Sequence, residues 1–244
     1  MPNSSYREKR TRYWCVVIEY YLLGQLFTLG VVSWLARKCG FLRLQRFLVS
    51  GNYAGGNLLL YLISAVMIVA LFHQEIGESI VSFFRVKPKT QLRNILCYTL
   101  GIGVIWSLLS FLASFATVYF GIRSSNESFV QQSLSMQGAR WIMFVVSAAL
   151  APFVEEFIFR CFILGVISQK RVWLAYVVSS VLFGLHHVYD YIIYDGDYMQ
   201  LFAAIPYAIL GLGLCRIYAK TKNLCYPLAF HILTNALVGL AVMA

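Results

Sequence analysis

The sequence has few charged residues, and acidic residues are particularly scarce. Only 12% of its 244 residues are charged, with ten acidic side chains against 20 lysines and arginines. Because 60% of the residues are hydrophobic, the chain lacks the polar side chains that would cover the surface of a soluble protein of this size. Composition therefore excludes an ordinary soluble domain and predicts that lipid covers much of the chain.

The CxxC and HExxH motifs are also absent. The six cysteines are scattered, mostly in hydrophobic stretches, and none of them forms a CxxC sequence. We interpret them as reduced and structural. No HExxH sequence occurs either, so the usual zinc-protease motif is missing.

The basic residues lie in short clusters between hydrophobic runs. Although the formal net charge is +10, they do not form the single basic stripe of a nucleic-acid-binding domain, so we expect no nucleic-acid partner. Basic turns at 170–171 and 216–222 flank an acidic turn at 190–197, which predicts that the basic turns are cytoplasmic. This pattern, with an uncleaved first span, fits a multi-pass protein of a bacterial plasma membrane. An endoplasmic-reticulum membrane is the alternative.

Long hydrophobic runs divide the chain into spans. A helix needs roughly 20 hydrophobic residues to cross a bilayer core of about 30 Å. Such runs cover approximately 14–35, 56–72, 94–120, 141–167, 172–194, 201–219 and 224–243. The sequence therefore predicts an all-α, polytopic transmembrane bundle of about seven helices, surrounded by membrane lipids. We expect one structural domain, with N-terminal helices over 1–139 and a C-terminal group over 140–243.

Two polar stretches interrupt this pattern. Residues 37–48, RKCGFLRLQRFL, carry four basic side chains that the alternation of spans would place outside the cell. Either the first span is re-entrant, or this stretch is an amphipathic helix at an interface. The segment 121–140 is the longest polar stretch, and we expect an external loop there that contains a short helix.

Two adjacent carboxylates lie in the middle of the fourth predicted span. Since a charge at the bilayer centre costs several kcal/mol, Glu155 and Glu156 should face the bundle interior or a wet cavity. Arg160 follows Glu156 by four residues, so the two can form a salt bridge on one helix face. Glu155 points about 100° away from that pair. Because its carboxyl group lacks that cation, it suits a general acid or base. The structural alternative is a charge cluster that only stabilises helix packing.

Histidines occur in two later spans. His186 and His187 lie in the fifth, and His231 lies in the last, four residues before Asn235 on the same helix face. Imidazole can move protons at neutral pH, and an amide can donate to an oxyanion. Each residue alone would be unremarkable, because interhelical hydrogen bonds also use such side chains.

The combined placement of these residues is more informative. Counted at about 1.5 Å per residue from the cytoplasmic helix ends, Glu155, His187, His231 and Asn235 lie at similar depths. One shared site in the bundle interior explains this most simply.

Three short motifs carry a resemblance to a known family. EEFIFR at 155–160 matches EExxxR, FGLHH at 183–187 matches FxxxH, and HILTN at 231–235 matches HxxxN. Their order and separation resemble the CPBP family, which comprises type II CAAX prenyl endopeptidases and bacteriocin-processing or abortive-infection-like membrane proteases. The resemblance covers roughly residues 140–243, and the first 140 residues are similar only in being hydrophobic helices.

The resemblance implies a division of roles. Glu155 with His187 would position and activate a water molecule, while His231 and Asn235 would stabilise the oxyanion of the tetrahedral intermediate. The expected activity is an intramembrane endopeptidase acting on a membrane-associated, prenyl-like or peptide substrate.

The same resemblance implies supporting residues. Glu156 and Arg160 would hold the catalytic arrangement in place. His186 fills a variable position of FxxxH and lies about 100° round from His187, so we interpret it as a packing or supporting residue.

A metal is the alternative to metal-free hydrolysis. Glu155, His187 and His231 would be a plausible zinc set with room for a water molecule. Zinc seldom takes an amide, however, and HExxH is absent, so we predict that no cofactor is needed and that Glu155 activates the water directly.

Two other functions are compatible with the same residues. One is a non-catalytic immunity factor or partner of a membrane sensor, in which the polar cluster survives as structure. The other is a small transporter, because buried Glu and His also form proton relays. The sequence lacks the paired interrupted helices that would favour transport.

Overall fold

The chain is built from helices, and the computed structural model describes residues 4–21, 33–169, 171–193 and 195–244. Within these ranges no strand occurs. In chain order the helices are α1 (Ser4–Ile18), α2 (Ser33–Lys38), α3 (Leu42–Arg85), α4 (Pro88–Tyr119), α5 (Ser125–Ser135), α6 (Arg140–Ser168), α7 (Val172–His186), α8 (Tyr189–Ile193), α9 (Gln200–Thr221) and α10 (Cys225–Met243).

Five of the described helices are long and hydrophobic enough to cross a membrane. They are α3 from Ala54 onward, α4, α6, α9 and α10. Helices suit this environment because they satisfy every backbone hydrogen bond within the segment. The prediction of an all-α polytopic transmembrane protein is thus confirmed. The predicted first span, 14–35, includes residues 22–32, which lie outside the described residues.

The predicted fifth span is shorter than expected. We predicted one helix over 172–194, but α7 ends at His186, and His187 caps it with backbone angles of φ −79° and ψ −11°. A second short helix, α8, follows from Tyr189. At about 1.5 Å per residue, the 15 residues of α7 extend only about 22 Å. The prediction of a single helix was therefore wrong, and the break coincides with the two adjacent histidines.

Three stretches within the long helices have π-helical geometry. They cover Asn94–Gly101 in α4, and Val146–Leu150 and Phe157–Leu164 in α6. Such wide turns are rare and frequently occur at functional sites. In α6 the second π-helical stretch begins directly after the Glu155–Glu156 pair, so π-helical backbone adjoins the acidic residues.

The two polar stretches singled out in the sequence have different structures. In residues 37–48, α2 ends at Lys38 and α3 begins at Leu42, and Gly40 turns the chain with a φ of +72°. This stretch is therefore not one continuous amphipathic helix, because the left-handed turn interrupts it. In the segment 121–140, the short helix that we predicted is present as α5.

The chain divides into two compact units. The first comprises residues 1–76, 130–154 and 234–244, and the second comprises 77–129 and 155–233. In the first unit, α1 packs on α3 through the stacked rings of Tyr13 and Phe72, whose centroids are 4.6 Å apart. The hydroxyl groups of Tyr20 and Tyr61 form a 2.8 Å hydrogen bond in the same unit.

The second unit brings its helices together at small residues. A Cβ atom on Gly184 of α7 would lie 2.6 Å from the carbonyl oxygen of Ala204 in α9. A Cβ atom on Gly213 of α9 would lie 2.4 Å from Cβ of Trp106 in α4. Glycine is needed at both positions because any side chain would push the helices apart, as is common in membrane bundles. The close approach holds α7 against α9.

Candidate functional site

The acidic pair of α6 is buried in the second unit. Glu155 exposes 5% of its surface and Glu156 exposes none. Pro152, one turn earlier, lacks a backbone N–H and so weakens the regular hydrogen bonding of the helix there. Two carboxyl groups buried in one membrane-spanning helix are costly, and partners from other residues must offset that cost.

Glu156 has the partner that its spacing predicted. Its Oε2 lies 3.2 Å from Nε of Arg160, and both side chains are fully buried. The guanidinium of Arg160 also lies over the ring of Phe183 in α7, 4.7 Å from its centroid, in a cation–π contact. The predicted salt bridge is confirmed, and the contact with Phe183 extends it from α6 to α7.

Glu156 also holds His231 of α10. Nδ1 of His231 lies 3.0 Å from Oε1 of Glu156. Because Glu156 is paired with the guanidinium of Arg160, we assign it as the acceptor and Nδ1 of His231 as the donor. This contact joins residues 75 positions apart, and no spacing rule in the sequence indicated it. Glu156 thereby fixes the orientation of the His231 ring.

Glu155 lies between two imidazoles. Its Oε2 is 3.8 Å from Nε2 of His231, and its Oε1 is 3.7 Å from Nε2 of His186. These are ion-pair distances slightly longer than a direct hydrogen bond. The prediction that carboxylates and imidazoles from separate helices converge is met by α6, α7 and α10.

His186 and His187 make different contacts, and their roles stay predictions. We interpreted His186 as a packing or supporting residue, yet its ring nitrogen approaches Glu155 directly. Nδ1 of His187 lies 2.8 Å from the carbonyl oxygen of Phe183. We predicted a continuous helix through both histidines, whereas α7 ends at His186.

Asn235 belongs to the first unit. It follows His231 by one turn of α10, as the HxxxN spacing requires. Its Nδ2 donates a 2.9 Å hydrogen bond to the carbonyl oxygen of Ser147. An amide nitrogen has two hydrogens, so this bond engages one of them. The role of Asn235 as an oxyanion donor stays a prediction.

The side-chain geometry bears on the metal alternative. In the part of the chain that the structure describes, no three His, Cys, Asp or Glu side chains are arranged to hold a metal ion. Since Nδ1 of His231 and Nδ1 of His187 are engaged by Glu156 and by the carbonyl oxygen of Phe183, Nε2 is the nitrogen that each ring could offer to a metal ion, and metal-free hydrolysis stays a prediction. We derive no step through a metal.

Comparison with known proteins agrees with the motifs. Residues 137–237 match the family of type II CAAX prenyl endopeptidase Rce1-like proteins. The resemblance stated from the three motifs is therefore confirmed, and the matched region contains every predicted site residue.

Individual relatives are bacterial proteins. The chain is 26% identical over 239 residues to "Putative membrane peptidase YdiL" of Bacillus subtilis (strain 168), covering 94% of this chain and 88% of that protein. It is 33% identical over 93 residues to "UPF0177 protein YxdF" of Lactococcus lactis subsp. lactis (strain IL1403), covering 38% and 46% respectively. No solved structure gives a significant match. At the family level, these similarities support a membrane peptidase.

Proposed function

We propose that this Rce1-like membrane protein is an intramembrane endopeptidase in which Glu155 activates a water molecule. The observation that carries this proposal is the position of the Glu155 carboxyl group, buried in a membrane-spanning helix between His186 and His231. Intramembrane ionisable groups are rare and usually functional. A carboxylate flanked by imidazoles is suited to take a proton from water and to pass it on.

The proposed reaction is a hydrolysis with two proton movements. Glu155 takes one proton from water, and the resulting hydroxide oxygen forms a bond to the carbonyl carbon of the peptide. The carbon–nitrogen bond of the tetrahedral intermediate then breaks, and the proton goes to the leaving amine. His187, as the family resemblance implies, orients the water together with Glu155.

His231 and Asn235 are proposed to stabilise the oxyanion. Because Nδ1 of His231 donates to Glu156, the nitrogen that can donate to the substrate oxygen is Nε2. His231 must therefore carry hydrogens on both ring nitrogens when it acts as a donor. Glu156 supports this arrangement because it holds Nδ1 of the ring, and Arg160 is in turn paired with Glu156.

We propose a substrate that reaches the site from the membrane. The spanning helices expose many large hydrophobic side chains, and lipid would surround them. A peptide or protein near a membrane anchor, including a prenyl-like one, fits such surroundings. We place the protein in a bacterial plasma membrane, with the basic turns at 170–171 and 216–222 in the cytoplasm.

A comparison of membrane peptides tests the function and identifies substrates in the same measurement. Membranes from cells that express the wild-type chain are compared with membranes that contain Glu155→Gln at the same level, and peptide termini are identified by mass spectrometry. We expect new termini only with the wild type. Identical termini in both samples, with a cellular phenotype retained by Glu155→Gln, would instead favour the non-catalytic immunity factor.

Removal of metal ions is predicted to leave cleavage intact. After exhaustive chelation of the purified protein, the rate of cleavage of a substrate identified in that comparison should stay within about twofold of the untreated rate, because Glu155 acts on water directly. The measurement is repeated after addition of zinc. Loss of activity on chelation and its return with zinc would overturn the metal-free mechanism.

A further inference from the structure

The ring of Tyr207 in α9 stacks on the ring of His187. The two centroids are 4.1 Å apart and the ring planes are inclined by 14°. His187 lies just beyond the end of α7, and helical backbone precedes it but does not follow it directly. The helix therefore does not determine the direction of its side chain. The position of the His187 ring therefore depends on its side-chain contacts, and the Tyr207 ring provides a large contact surface.

A second contact determines which nitrogen of His187 faces the site. Nδ1 lies 2.8 Å from the carbonyl oxygen of Phe183, which can only accept a hydrogen bond. Nδ1 must therefore carry the hydrogen, and neutral His187 presents Nε2 as the basic nitrogen. The ring that makes this hydrogen bond is the same ring that stacks on Tyr207.

Tyr207 is itself held at its hydroxyl group. Nδ2 of Asn126 donates to the hydroxyl oxygen at 3.2 Å. The oxygen atoms of Tyr207 and Ser124 are 3.1 Å apart, and the Tyr207 hydrogen is available to bond Ser124. Both partners come from the polar segment that precedes and begins α5, so this segment holds the far end of the tyrosine.

Gln200 binds the same polar segment two turns earlier on α9. Its Oε1 accepts a 3.0 Å hydrogen bond from the backbone N–H of Ser125. Its Nε2 donates 3.0 Å and 2.9 Å hydrogen bonds to the carbonyl oxygen of Arg123 and to Oδ2 of Asp197. Residues 200 and 207 share one face of a helix because they are seven apart. The segment 123–126 is thus fastened to α9 on the face that carries Tyr207.

We propose that Tyr207 is a positioning residue, which holds His187 by ring stacking and is itself held by Ser124 and Asn126. This inference rests on the proposed function, since it concerns the histidine that orients the water. Tyr207 acts through His187 and touches no reacting atom. The consequence is that the rate of cleavage depends on a tyrosine outside the three sequence motifs.

The test is a spectroscopic measurement that needs no substrate. The full chain is labelled with ¹⁵N-histidine in lipid nanodiscs, and the His187 signals are assigned by their loss in His187→Gln. In the wild type we expect one protonated Nδ1 and one unprotonated Nε2. In Tyr207→Leu, which keeps hydrophobic volume but removes the aromatic face, these signals should average between tautomers. Tyr207→Phe retains the aromatic face but loses the hydroxyl anchor, so its His187 signals should broaden without averaging between tautomers.

Two further variants make the test specific. Tyr119→Ala serves as the control, because Tyr119 is 79% exposed at the end of α4. A wild-type spectrum in Tyr207→Leu, or the same averaging in Tyr119→Ala, would overturn the proposal. The double variant Ser124→Ala/Asn126→Ala should broaden the His187 signals, and an unchanged spectrum would overturn the anchoring by that segment.

Kinetics separate this inference from the proposed function. With a substrate from the peptide comparison, Tyr207→Leu should lower kcat by about 10- to 100-fold with little change in KM, as expected when a catalytic group is misplaced. If the wild type cleaves nothing, the proposed function fails, yet the histidine spectra still decide whether Tyr207 positions His187.

Discussion

We expect Glu155→Gln to lower the rate of peptide cleavage by about 10³-fold or more, since the amide cannot take a proton from water. The substitution keeps the size of the side chain and removes only the basic oxygen. The measurement is the initial rate of cleavage by the purified protein in lipid nanodiscs, with a substrate identified from membrane peptides. Helix content and thermal unfolding should match those of the wild type.

A matched control for this result is Glu78→Gln. It makes the same chemical change at an exposed carboxyl group of α3, and it should leave the rate unchanged. Cleavage by Glu155→Gln at the wild-type rate would refute the assignment of Glu155 as the base. Equal losses in both variants would show that the effect is a general one of removing charge.

The largest effect on stability is expected for Arg160→Met. The change leaves the carboxylate of Glu156 buried without its cation, and breaking a buried ion pair in this way costs about 3–5 kcal/mol of unfolding free energy. The free energy is measured by titration with a denaturing detergent, followed by circular dichroism. Cleavage should fall as well, because Glu156 orients His231.

The double variant Glu156→Gln/Arg160→Met identifies the cause of that loss. With both charges removed, no unpaired charge is buried, and most of the stability should return. Cleavage should stay low, since the stronger hydrogen bond from His231 to a carboxylate is gone. A loss of less than about 1 kcal/mol in Arg160→Met alone would contradict the argument, because only exposed ion pairs contribute so little.

The fold class could be predicted because the membrane leaves few choices. A long hydrophobic run in lipid must be a helix, so the hydrophobic runs of the sequence indicated the positions of α3, α4, α6, α9 and α10. The salt bridge between Glu156 and Arg160 was equally accessible, since a spacing of four residues defines a helix face. The spacing of residues along the sequence was therefore sufficient to predict contacts within a single helix.

Contacts between helices were not accessible in this way. The hydrogen bond from His231 to Glu156 depends on how α6 and α10 pack, and no local spacing specifies that packing. The approach of His186 to Glu155 was not predicted, because the directions of the two histidine side chains were taken from an unbroken helix. That helix ends at His186, so the direction of the His187 side chain is set by the turn that follows α7.

The short α7 has a consequence for the lipid beside it. The outer face of this helix is hydrophobic and exposed, as at Trp173, Val177 and Val181, so acyl chains must contact it. Lipids next to a helix about 22 Å long adjust by thinning, which draws headgroups and hydration inward at its end. That end carries His186 and His187. Under the proposed function, this thinning would shorten the path of a hydrolytic water molecule to the histidines.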